Sequence, residues 1–305
     1  MGDFNRRKFI KATTLLMAAP FAPKIFEVKF NKPLLSFSTL GCPDWDFRKI
    51  IDFAVEHNYK GLELRGLLRE MDLTKCPEFN SQQNISATLI LMKERNLDFV
   101  DLGSSTSLHI ADPVKRMKTL DEAKRFIDLA QKINCPHVRV FPNQLPKDQN
   151  KSKTMGLITD GLIELANYAK GSNVSVLMET HGDLVWSSDL QKIMEDAFNE
   201  HSGLVWDVTN MWSITKEPPV EVYKKLKKYI RHTHIKDLIM IDGKEHYTLL
   251  GQGEVPIFTA IDALRKGGYK GYFSFEWEKL WHPEIADPEI AIAQYSKVML
   301  EHFGQ

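Results

Sequence analysis

From residue 34 onward, short apolar runs alternate with longer stretches in which apolar residues recur every three or four positions. The short runs are typical of buried strands, and the longer stretches are typical of helices with one apolar face. Turn signals such as HNYKG and GGYKG stand between several helices and the strands that follow them. The predicted strands cover 34–40, 61–65, 97–103, 137–141, 173–180, 203–208, 230–236 and 271–278.

Eight strands, each followed by a helix, predict a (β/α)8 TIM barrel. The length of 305 residues fits one such domain, and no hydrophilic linker divides the chain. An open doubly wound sheet is the main alternative, but it normally carries a glycine-rich phosphate loop after its first strand. The segment STLGCPDWD at this point does not match such a loop. We therefore expect a single-domain α/β barrel over residues 31–305, with its active site at the C-terminal ends of the strands.

The first 30 residues have a different pattern. The segment NRRKFIKATTLLMAAPFAP places a twin arginine, Arg6 and Arg7, before a short apolar stretch at 12–22. It resembles the twin-arginine export signal of bacteria. The apolar stretch is too short to cross a bilayer core of about 30 Å, so we expect no stable membrane span. Residues 1–30 are therefore predicted to be an export signal and leader, which implies a periplasmic protein; an ordinary basic N-terminus is the alternative.

The balance of charges bears on the class of partner. Lysine and arginine total 40 residues, and aspartate and glutamate also total 40. This neutral balance argues against nucleic acid or an anionic membrane as the main partner. The three cysteines, Cys42, Cys76 and Cys135, lie far apart and form no CxxC pair. We therefore expect neither a disulfide framework nor a thiolate zinc site.

The inward faces of the last four predicted strands end in ionisable side chains. These side chains are Glu179 and His181 on the fifth strand, Asp207 on the sixth, His232, His234 and Lys236 on the seventh, and Glu276 and Glu278 on the eighth. A barrel core normally has valine, isoleucine and leucine at such positions, so this polar ring needs a chemical explanation.

A bound divalent metal ion would explain the ring. Three carboxylates and one imidazole form a mostly hard set of ligands, which suits Mn²⁺, Mg²⁺ or Co²⁺, with Zn²⁺ possible. Strand alternation does not choose between His232 and His234, or between Glu276 and Glu278. A metal-free barrel with polar strand ends is the alternative. Further inward-facing candidates for orienting a polar substrate are Glu63, Arg65 and Arg139.

Five motifs carry a resemblance to a known superfamily: LMETH, VWDVTN, IRHTHIKD, LGQGEVP and GYKGYFSFEWE. Their order and spacing are similar to those of the xylose isomerase-like TIM barrels. The most similar branch is that of the sugar phosphate isomerases and epimerases, which includes ketose 3-epimerases and inosose dehydratases. The resemblance covers residues 34–303. It implies that one divalent metal ion is held by Glu179, Asp207, His234 and Glu276.

The resemblance also implies a reaction. In the epimerase members, the two ligand glutamates move a proton at the carbon next to a carbonyl group, through an enediolate. The catalytic residues here would be Glu179 and Glu276. His181 would contact the substrate or transfer a proton. Lys236 would hydrogen-bond a hydroxyl group or an oxyanion, and a salt bridge to Asp237 is the alternative.

Three further positions bear on this expectation. The ketose 3-epimerases have a histidine three residues after the strand-six aspartate, where this chain has Asn210. Asparagine can bind a hydroxyl group but cannot exchange a proton at neutral pH, which argues against a ketose 3-epimerase in particular and leaves Asn210 as a substrate-binding candidate. Trp212 and Trp281, in predicted loops at the barrel mouth, are candidates for an apolar platform beneath a sugar ring; simple loop packing is the alternative.

The sequence therefore favours a metal-dependent isomerase or epimerase whose partner is a small-molecule carbohydrate: a free sugar, keto-sugar or cyclitol. One alternative is a lyase or dehydratase on a keto-sugar or keto-inositol, because that reaction also begins with removal of an α-proton. A non-catalytic carbohydrate-binding barrel is disfavoured by the pair of carboxylates. An endonuclease IV-like enzyme would need more histidines and a basic DNA face, which the neutral charge disfavours. Assembly into a homo-oligomer is left open.

Overall fold

The computed structural model describes residues 32–147 and 149–304, so the predicted export signal at residues 1–30 lies outside the described residues. Within them, eight parallel strands close into one barrel, which confirms the predicted TIM barrel. Two further strands, β8 and β9, form a separate hairpin. The strands are β1 (Leu35–Ser38), β2 (Gly61–Leu64), β3 (Asp98–Ser107), β4 (His137–Phe141), β5 (Ser175–Glu179), β6 (Ser202–Asp207), β7 (Ile230–Ile235), β8 (Asp237–Ile241), β9 (Lys244–Thr248) and β10 (Phe273–Phe275).

The α-helices of the described residues lie between successive barrel strands, except the last helix, which follows the final strand. They are α1 (Phe47–Glu56), α2 (Gln82–Glu94), α3 (Pro113–Lys132), α4 (Lys151–Tyr168), α5 (Ser187–Ala197), α6 (Val208–Thr215), α7 (Pro219–Leu226), α8 (Ile257–Lys266) and α9 (Pro288–His302). Four of the long helices begin at a side chain that accepts a backbone N–H, namely Asp46, Ser81, Asp112 and Asn150. In the part of the chain that the structure describes, no helix has the length and apolar character that a membrane span requires.

The layer between the strands and the helices is apolar. Phe275 on β10 stacks on Tyr295 of α9, with 4.5 Å between the ring centroids. Trp277 is only 1% exposed, and its indole N–H donates to the carbonyl oxygen of Ala286 at 2.9 Å. Trp277 is therefore part of this outer core, with its one polar atom satisfied.

The interior of the barrel is polar instead. Each of the eight barrel strands, or the residue just after it, contributes a buried polar side chain. These residues are Ser36 and Ser38 (β1), Glu63 (β2), Asp101 (β3), Arg139 (β4), Glu179 (β5), Asp207 (β6), His232 and His234 (β7), and Ser274 and Glu276 (β10). Buried charges are costly unless they are paired or bind a metal, so the interior must supply its own compensation.

The hairpin of β8 and β9 follows β7 directly, at the active-site end of the barrel. Its base is held by Asp237, whose Oδ2 accepts the backbone N–H groups of Gly251 and Gly253 at 2.9 and 3.0 Å. Gly253 approaches so closely that a Cβ atom there would lie 2.0 Å from Asp237 Oδ1. This contact explains why the motif IRHTHIKD is followed by LGQGEVP, since the aspartate of the first motif binds the glycines of the second.

Candidate active site

Four strands deliver the predicted metal ligands to one point. Glu179 ends β5, Asp207 ends β6, His234 lies on β7, and Glu276 follows β10 directly. One ligand atom from each of the four residues lies within 4.8 Å of the others, and all four side chains are buried. His234 Nδ1 lies 3.2 Å from Glu276 Oε1 and 3.5 Å from Glu179 Oε1. The structure thus brings together the set that the sequence predicted.

This cluster fits a divalent metal ion. Within the described residues, His234 Nδ1 is buried without a hydrogen bond, and Glu179 Oε2 makes no hydrogen bond beyond its ion pair with Arg139 Nε at 3.1 Å. Buried polar atoms are normally satisfied, and three converging carboxylates repel one another unless a cation lies between them. Oxygen and imidazole ligands in this ratio suit hard or borderline divalent ions. Glu179, Asp207, His234 and Glu276 would hold that ion.

Lys236 supplies positive charge beside the cluster. The side chain is 1% exposed, and its ammonium group lies 2.8 Å from Asp207 Oδ2 and 2.5 Å from Glu276 Oε2. The third partner is Glu278 Oε1, at 2.6 Å. The alternative prediction of a salt bridge to Asp237 is wrong, because that carboxylate binds backbone amides at the base of the hairpin.

The neighbouring charges shift the pKa values of the cluster. Burial would raise the pKa of Glu276, but His234 and Lys236 hold it well below its ordinary value. Burial and Glu276 would raise the pKa of Glu179, but His234 and Arg139 lower it. Burial raises the pKa of Asp207 to about 7, even though Lys236 opposes the shift. At neutral pH the two glutamates are therefore ionised and able to accept a proton.

Two buried arginines flank Glu179. Arg139 Nε lies 3.1 Å from Glu179 Oε2, and its Nη1 donates to the carbonyl oxygen of Ser104 at 2.9 Å. Arg65 Nη2 donates to Ser105 Oγ at 3.1 Å, and burial together with Arg139 lowers the pKa of Arg65 to about 9. The predicted inward orientation of both arginines agrees with this geometry, and Arg139 forms an ion pair with a candidate base.

His181 lies two residues beyond Glu179, and one of its ring nitrogens is hydrogen-bonded. Its Nδ1 is 3.0 Å from the amide oxygen of Asn143, whose Nδ2 donates to Ser107 Oγ at 2.6 Å. Because an amide oxygen only accepts, Nδ1 carries a hydrogen, and in the neutral imidazole Nε2 is then an acceptor. The ring also packs on Phe141, with 4.6 Å between centroids. Asn143 was not predicted from the sequence, since it lies in the loop after β4.

Glu63 was a candidate for orienting the substrate, but in the structure it is hydrogen-bonded to other buried side chains of the barrel. It is fully buried, and its Oε2 accepts hydrogen bonds from His232 Nε2 at 2.9 Å, His234 Nε2 at 3.0 Å and Ser274 Oγ at 3.0 Å. Glu63 therefore contacts Nε2 of the His234 ring, whereas Glu179 and Glu276 lie near its Nδ1. His232, the alternative ligand in the sequence prediction, contacts Glu63 rather than the cluster.

Asp101 is a buried carboxylate that sequence reasoning missed. In the strand register of β2 and β3, Asp101 stands opposite Glu63. Its side chain is 0% exposed, and neither of its oxygens has a hydrogen-bond partner among the described residues. Burial and the charge of Glu63 raise the pKa of Asp101 to about 8. A single carboxylate within the apolar run LDFVDLG was the available signal, and strand alternation would have placed it inward.

The remaining predicted residues lie at the mouth. Asn210, on α6, is half-buried, and its backbone N–H donates to Asp207 Oδ1 at 2.8 Å. Trp212 lies on α6 and not in a loop as predicted; it is half-buried, and the ammonium group of Lys216 lies 3.6 Å from its ring centroid. The hairpin adds Tyr247, whose hydroxyl group donates to Glu278 Oε1 at 3.2 Å. Tyr247 was not anticipated, because the hairpin itself was not predicted.

Comparison with known proteins places these features in a family. The profile of the xylose isomerase-like TIM barrel matches residues 51–297. The chain is similar to fructoselysine 3-epimerase of Shigella flexneri, with 22% identity over 209 residues, which cover 66% of this chain and 71% of the relative. It is also similar to 3-dehydroshikimate dehydratase of Bacillus anthracis, with 20% identity over 231 residues, which cover 70% of this chain and 78% of the relative.

Solved structures show the same fold. The crystal structure of IOLI protein with a bound zinc atom superimposes with a TM-score of 0.73 at 17% identity, covering 88% of this chain and 97% of that one. One sequence relative is an epimerase and the other is a dehydratase, so the comparisons support an enzyme family without separating these two reactions. Because the family profile covers most of the chain, this protein belongs to the xylose isomerase-like TIM barrel family.

Proposed function

We propose that the protein is a divalent-metal-dependent isomerase or epimerase of a free sugar, keto-sugar or cyclitol. The observation that carries this proposal is the pair of buried carboxylates, Glu179 and Glu276, which lie 3.5 and 3.2 Å from His234 Nδ1. Inversion at a carbon next to a carbonyl group needs a proton removed from one face and a proton returned to the other, which two carboxylates can provide, and isomerisation through an enediolate can use one of them. The similarity to a fructoselysine 3-epimerase supports this reaction class.

Each proposed base has its own counter-charge. Arg139 lies beside Glu179, and Lys236 lies beside Glu276, so both carboxylates stay ionised in a buried site. A divalent ion held by the four ligands would supply the charge that makes the α-proton of the substrate acidic. Glu179 would then take the proton from one face of the substrate carbon, and Glu276 would return a proton to the other face.

Other side chains have positions that suit substrate binding. The free Nε2 of His181 would accept a hydrogen bond from a substrate hydroxyl group, since its Nδ1 is engaged by Asn143. Glu278 and Tyr247, joined at 3.2 Å beside Lys236, offer further polar groups at the same end of the barrel. A polyol or keto-sugar presents the several hydroxyl groups that such a lining would bind.

A dehydratase on a keto-sugar or keto-inositol is the second candidate. The similarity to 3-dehydroshikimate dehydratase supports it, as does Asn210 at the position where ketose 3-epimerases have a histidine. Elimination also begins with α-proton removal, but it needs an acid for the departing hydroxyl group. In this candidate Lys236, which bridges Glu276 and Glu278, would be that acid.

Product mass separates the two candidates. The purified protein would be incubated with Mn²⁺ and a panel of free sugars, 3-keto-glycosides and inososes, and the products would be analysed by mass spectrometry. An isomerase or epimerase gives products of unchanged mass in light water, which is the result we expect. A product lighter by one water would contradict the proposal and establish the dehydratase.

We also propose that residues 1–30 direct the protein to the periplasm. The twin arginine of Arg6 and Arg7 ahead of a short apolar stretch supports this route. Replacing both arginines by lysine should leave the protein in the cytoplasm of a bacterial host, as measured by cell fractionation. Unchanged periplasmic recovery of the double variant would contradict the proposal.

A further inference from the structure

We propose that Glu63 is a positioning residue for the metal site: it holds the hydrogen of His234 on Nε2, so that Nδ1 presents its lone pair to the divalent ion. This inference rests on the metal-dependent function proposed above. It assigns a role to a buried carboxylate that neither proton transfer nor substrate binding uses.

The two ring nitrogens of His234 face different groups. Nε2 lies 3.0 Å from Glu63 Oε2, whereas Nδ1 faces Glu276 Oε1 and Glu179 Oε1 at 3.2 and 3.5 Å. The ring is 0% exposed, so water does not compete for either nitrogen. Glu63 is therefore in a position to decide which of the two nitrogens carries hydrogen.

The hydrogen-bond chemistry of a carboxylate sets the direction. An ionised carboxylate only accepts, so each group that contacts Glu63 Oε2 must donate. His232 Nε2 and Ser274 Oγ donate to the same oxygen at 2.9 and 3.0 Å. With its hydrogen on Nε2, a neutral His234 has its lone pair on Nδ1, which is the atom that faces the ligand carboxylates. Carboxylates that hold a metal-binding histidine in this way also make the imidazole a stronger ligand.

A second metal ion is the competing explanation for these residues. Ligand atoms of Glu63, His232 and His234 lie within 4.8 Å of one another, so they could themselves surround an ion. An ion there would bind His234 Nε2 while the ion of the first site binds Nδ1, so His234 would have to be a bridging imidazolate without a hydrogen on either nitrogen. Ordinary hydrogen bonds already account for all three short contacts to Glu63 Oε2. The contacts therefore favour a hydrogen-bonded support over a second ion.

The test compares Zn²⁺ affinity in three variants of the full chain. Glu63→Leu removes the acceptor of His234 Nε2, and Glu63→Gln keeps the shape and one acceptor oxygen. Ser274→Ala removes another donor to the same carboxylate and leaves the contact between His234 and Glu63 in place. We expect Glu63→Leu to bind Zn²⁺ about 10–100-fold more weakly than wild type, as is typical when the support of a metal-bound histidine is lost. Glu63→Gln should lose less affinity, and Ser274→Ala should stay within about twofold of wild type.

Nitrogen-15 NMR of histidine-labelled, zinc-loaded protein gives a second readout. His234 should show a protonated Nε2 and a metal-bound Nδ1 in wild type and in Glu63→Gln, which keeps the measurement available if Glu63→Leu does not fold. Metal bound through Nε2, two zinc ions per chain, or unchanged affinity in folded Glu63→Leu would overturn the inference alone. A wild-type protein that binds no divalent ion would overturn the proposed function as well.

Discussion

At the scale of single residues, each ionised carboxylate of the site has a partner of opposite charge. Arg139 accompanies Glu179, and Lys236 contacts both Asp207 and Glu276. Strand alternation predicted that the ionisable side chains of the last four predicted strands face inward, and the resemblance of the motifs selected four of them as candidate metal ligands. The sequence could not predict these partners in detail, because they depend on how far each side chain reaches across the barrel. Lys236 is the clearest example, since it bridges three carboxylates instead of pairing with Asp237.

The proposed bases lead to a first prediction. Glu179→Gln and Glu276→Gln should each reduce exchange of the substrate α-proton with solvent by at least about 10²–10⁴-fold, because an amide cannot take up the proton. Exchange would be followed by NMR in D2O at saturating Mn²⁺, so that weaker metal binding does not mask the effect. Glu284→Gln, at an exposed position in the loop after β10, is the control and should exchange like wild type. Full exchange in both site variants would rule out the two-base mechanism.

Asp101 leads to a second prediction. Its pKa of about 8 in the folded protein, set by burial and Glu63, lies well above the value of about 3.9 in an unfolded chain. The folded state therefore binds this proton more tightly, and its contribution to stability is present below about pH 4 and is lost as the pH rises towards 8. Asp101→Asn removes the titration, so the metal-free variant should become more stable than wild type by about 1–3 kcal/mol at pH 8 and by less at pH 5.

Thermal unfolding between pH 5 and pH 8 measures this difference. The same substitution at Asp121, whose side chain is 54% exposed, serves as the control for loss of a surface carboxylate. A stability difference for Asp101→Asn that stays constant or falls with rising pH would show that the carboxyl group is not held neutral by the barrel.

At the scale of elements, the eight barrel strands and the helices between them follow the predicted pattern, but two features differ. The last barrel strand is shorter than predicted, Phe273–Phe275, although the backbone N–H of Glu276 still donates to the carbonyl oxygen of Ile235 at 3.2 Å. The hairpin of β8 and β9 was missed, although Asp242 and Gly243 mark its turn and both have positive φ, at 51° and 75°. An Asp-Gly pair between alternating residues is a known hairpin signal.

The base of the hairpin leads to a third prediction. Gly253→Ala would place a Cβ atom 2.0 Å from Asp237 Oδ1 and 2.5 Å from the carbonyl oxygen of Leu238, so the hairpin must shift. We expect a loss of about 1–3 kcal/mol of unfolding free energy, which is typical of overpacking. Urea unfolding provides the measurement. Gly156→Ala is the matched control, because it lies in α4 with nothing within 4 Å of its added Cβ and should stabilise the helix by about 0.5–1 kcal/mol. Equal behaviour of the two variants would contradict the role given to Asp237.

At the scale of the whole molecule, the barrel is a scaffold that brings residues from distant parts of the chain to one polar interior. The resemblance of five motifs predicted the family and the ligand set, and the profile match over residues 51–297 shows the family. The sequence could not choose between His232 and His234 by alternation, because both face inward on β7. The structure distinguishes the two histidines by their position along β7. His234 reaches the carboxylate cluster, whereas His232 contacts only Glu63 among the acidic side chains of the described interior.

The pKa values of two proposed metal ligands, Asp207 and His234, lead to a prediction of how metal binding depends on pH. Burial raises the pKa of Asp207 to about 7, and Glu276, Glu63 and Glu179 raise the pKa of His234 well above its ordinary value, although burial opposes that shift. Both residues must release protons before they bind a divalent ion. The affinity for Mn²⁺ should therefore increase from pH 6 to pH 8, with protons released on binding. Calorimetry in buffers of different ionisation enthalpy measures both quantities, and an affinity that does not change over this range would contradict the predicted proton release.

Solvent-deuterium exchange with and without metal tests the central claim most directly. A responsive free sugar or keto-sugar would be incubated in D2O with metal-free protein and with protein carrying one Mn²⁺ per chain, and the carbon next to the carbonyl group would be followed by NMR. We predict that deuterium enters that carbon only in the metal-loaded protein and that the product keeps all of its oxygen atoms. Exchange at the same rate after complete removal of the metal would contradict the account.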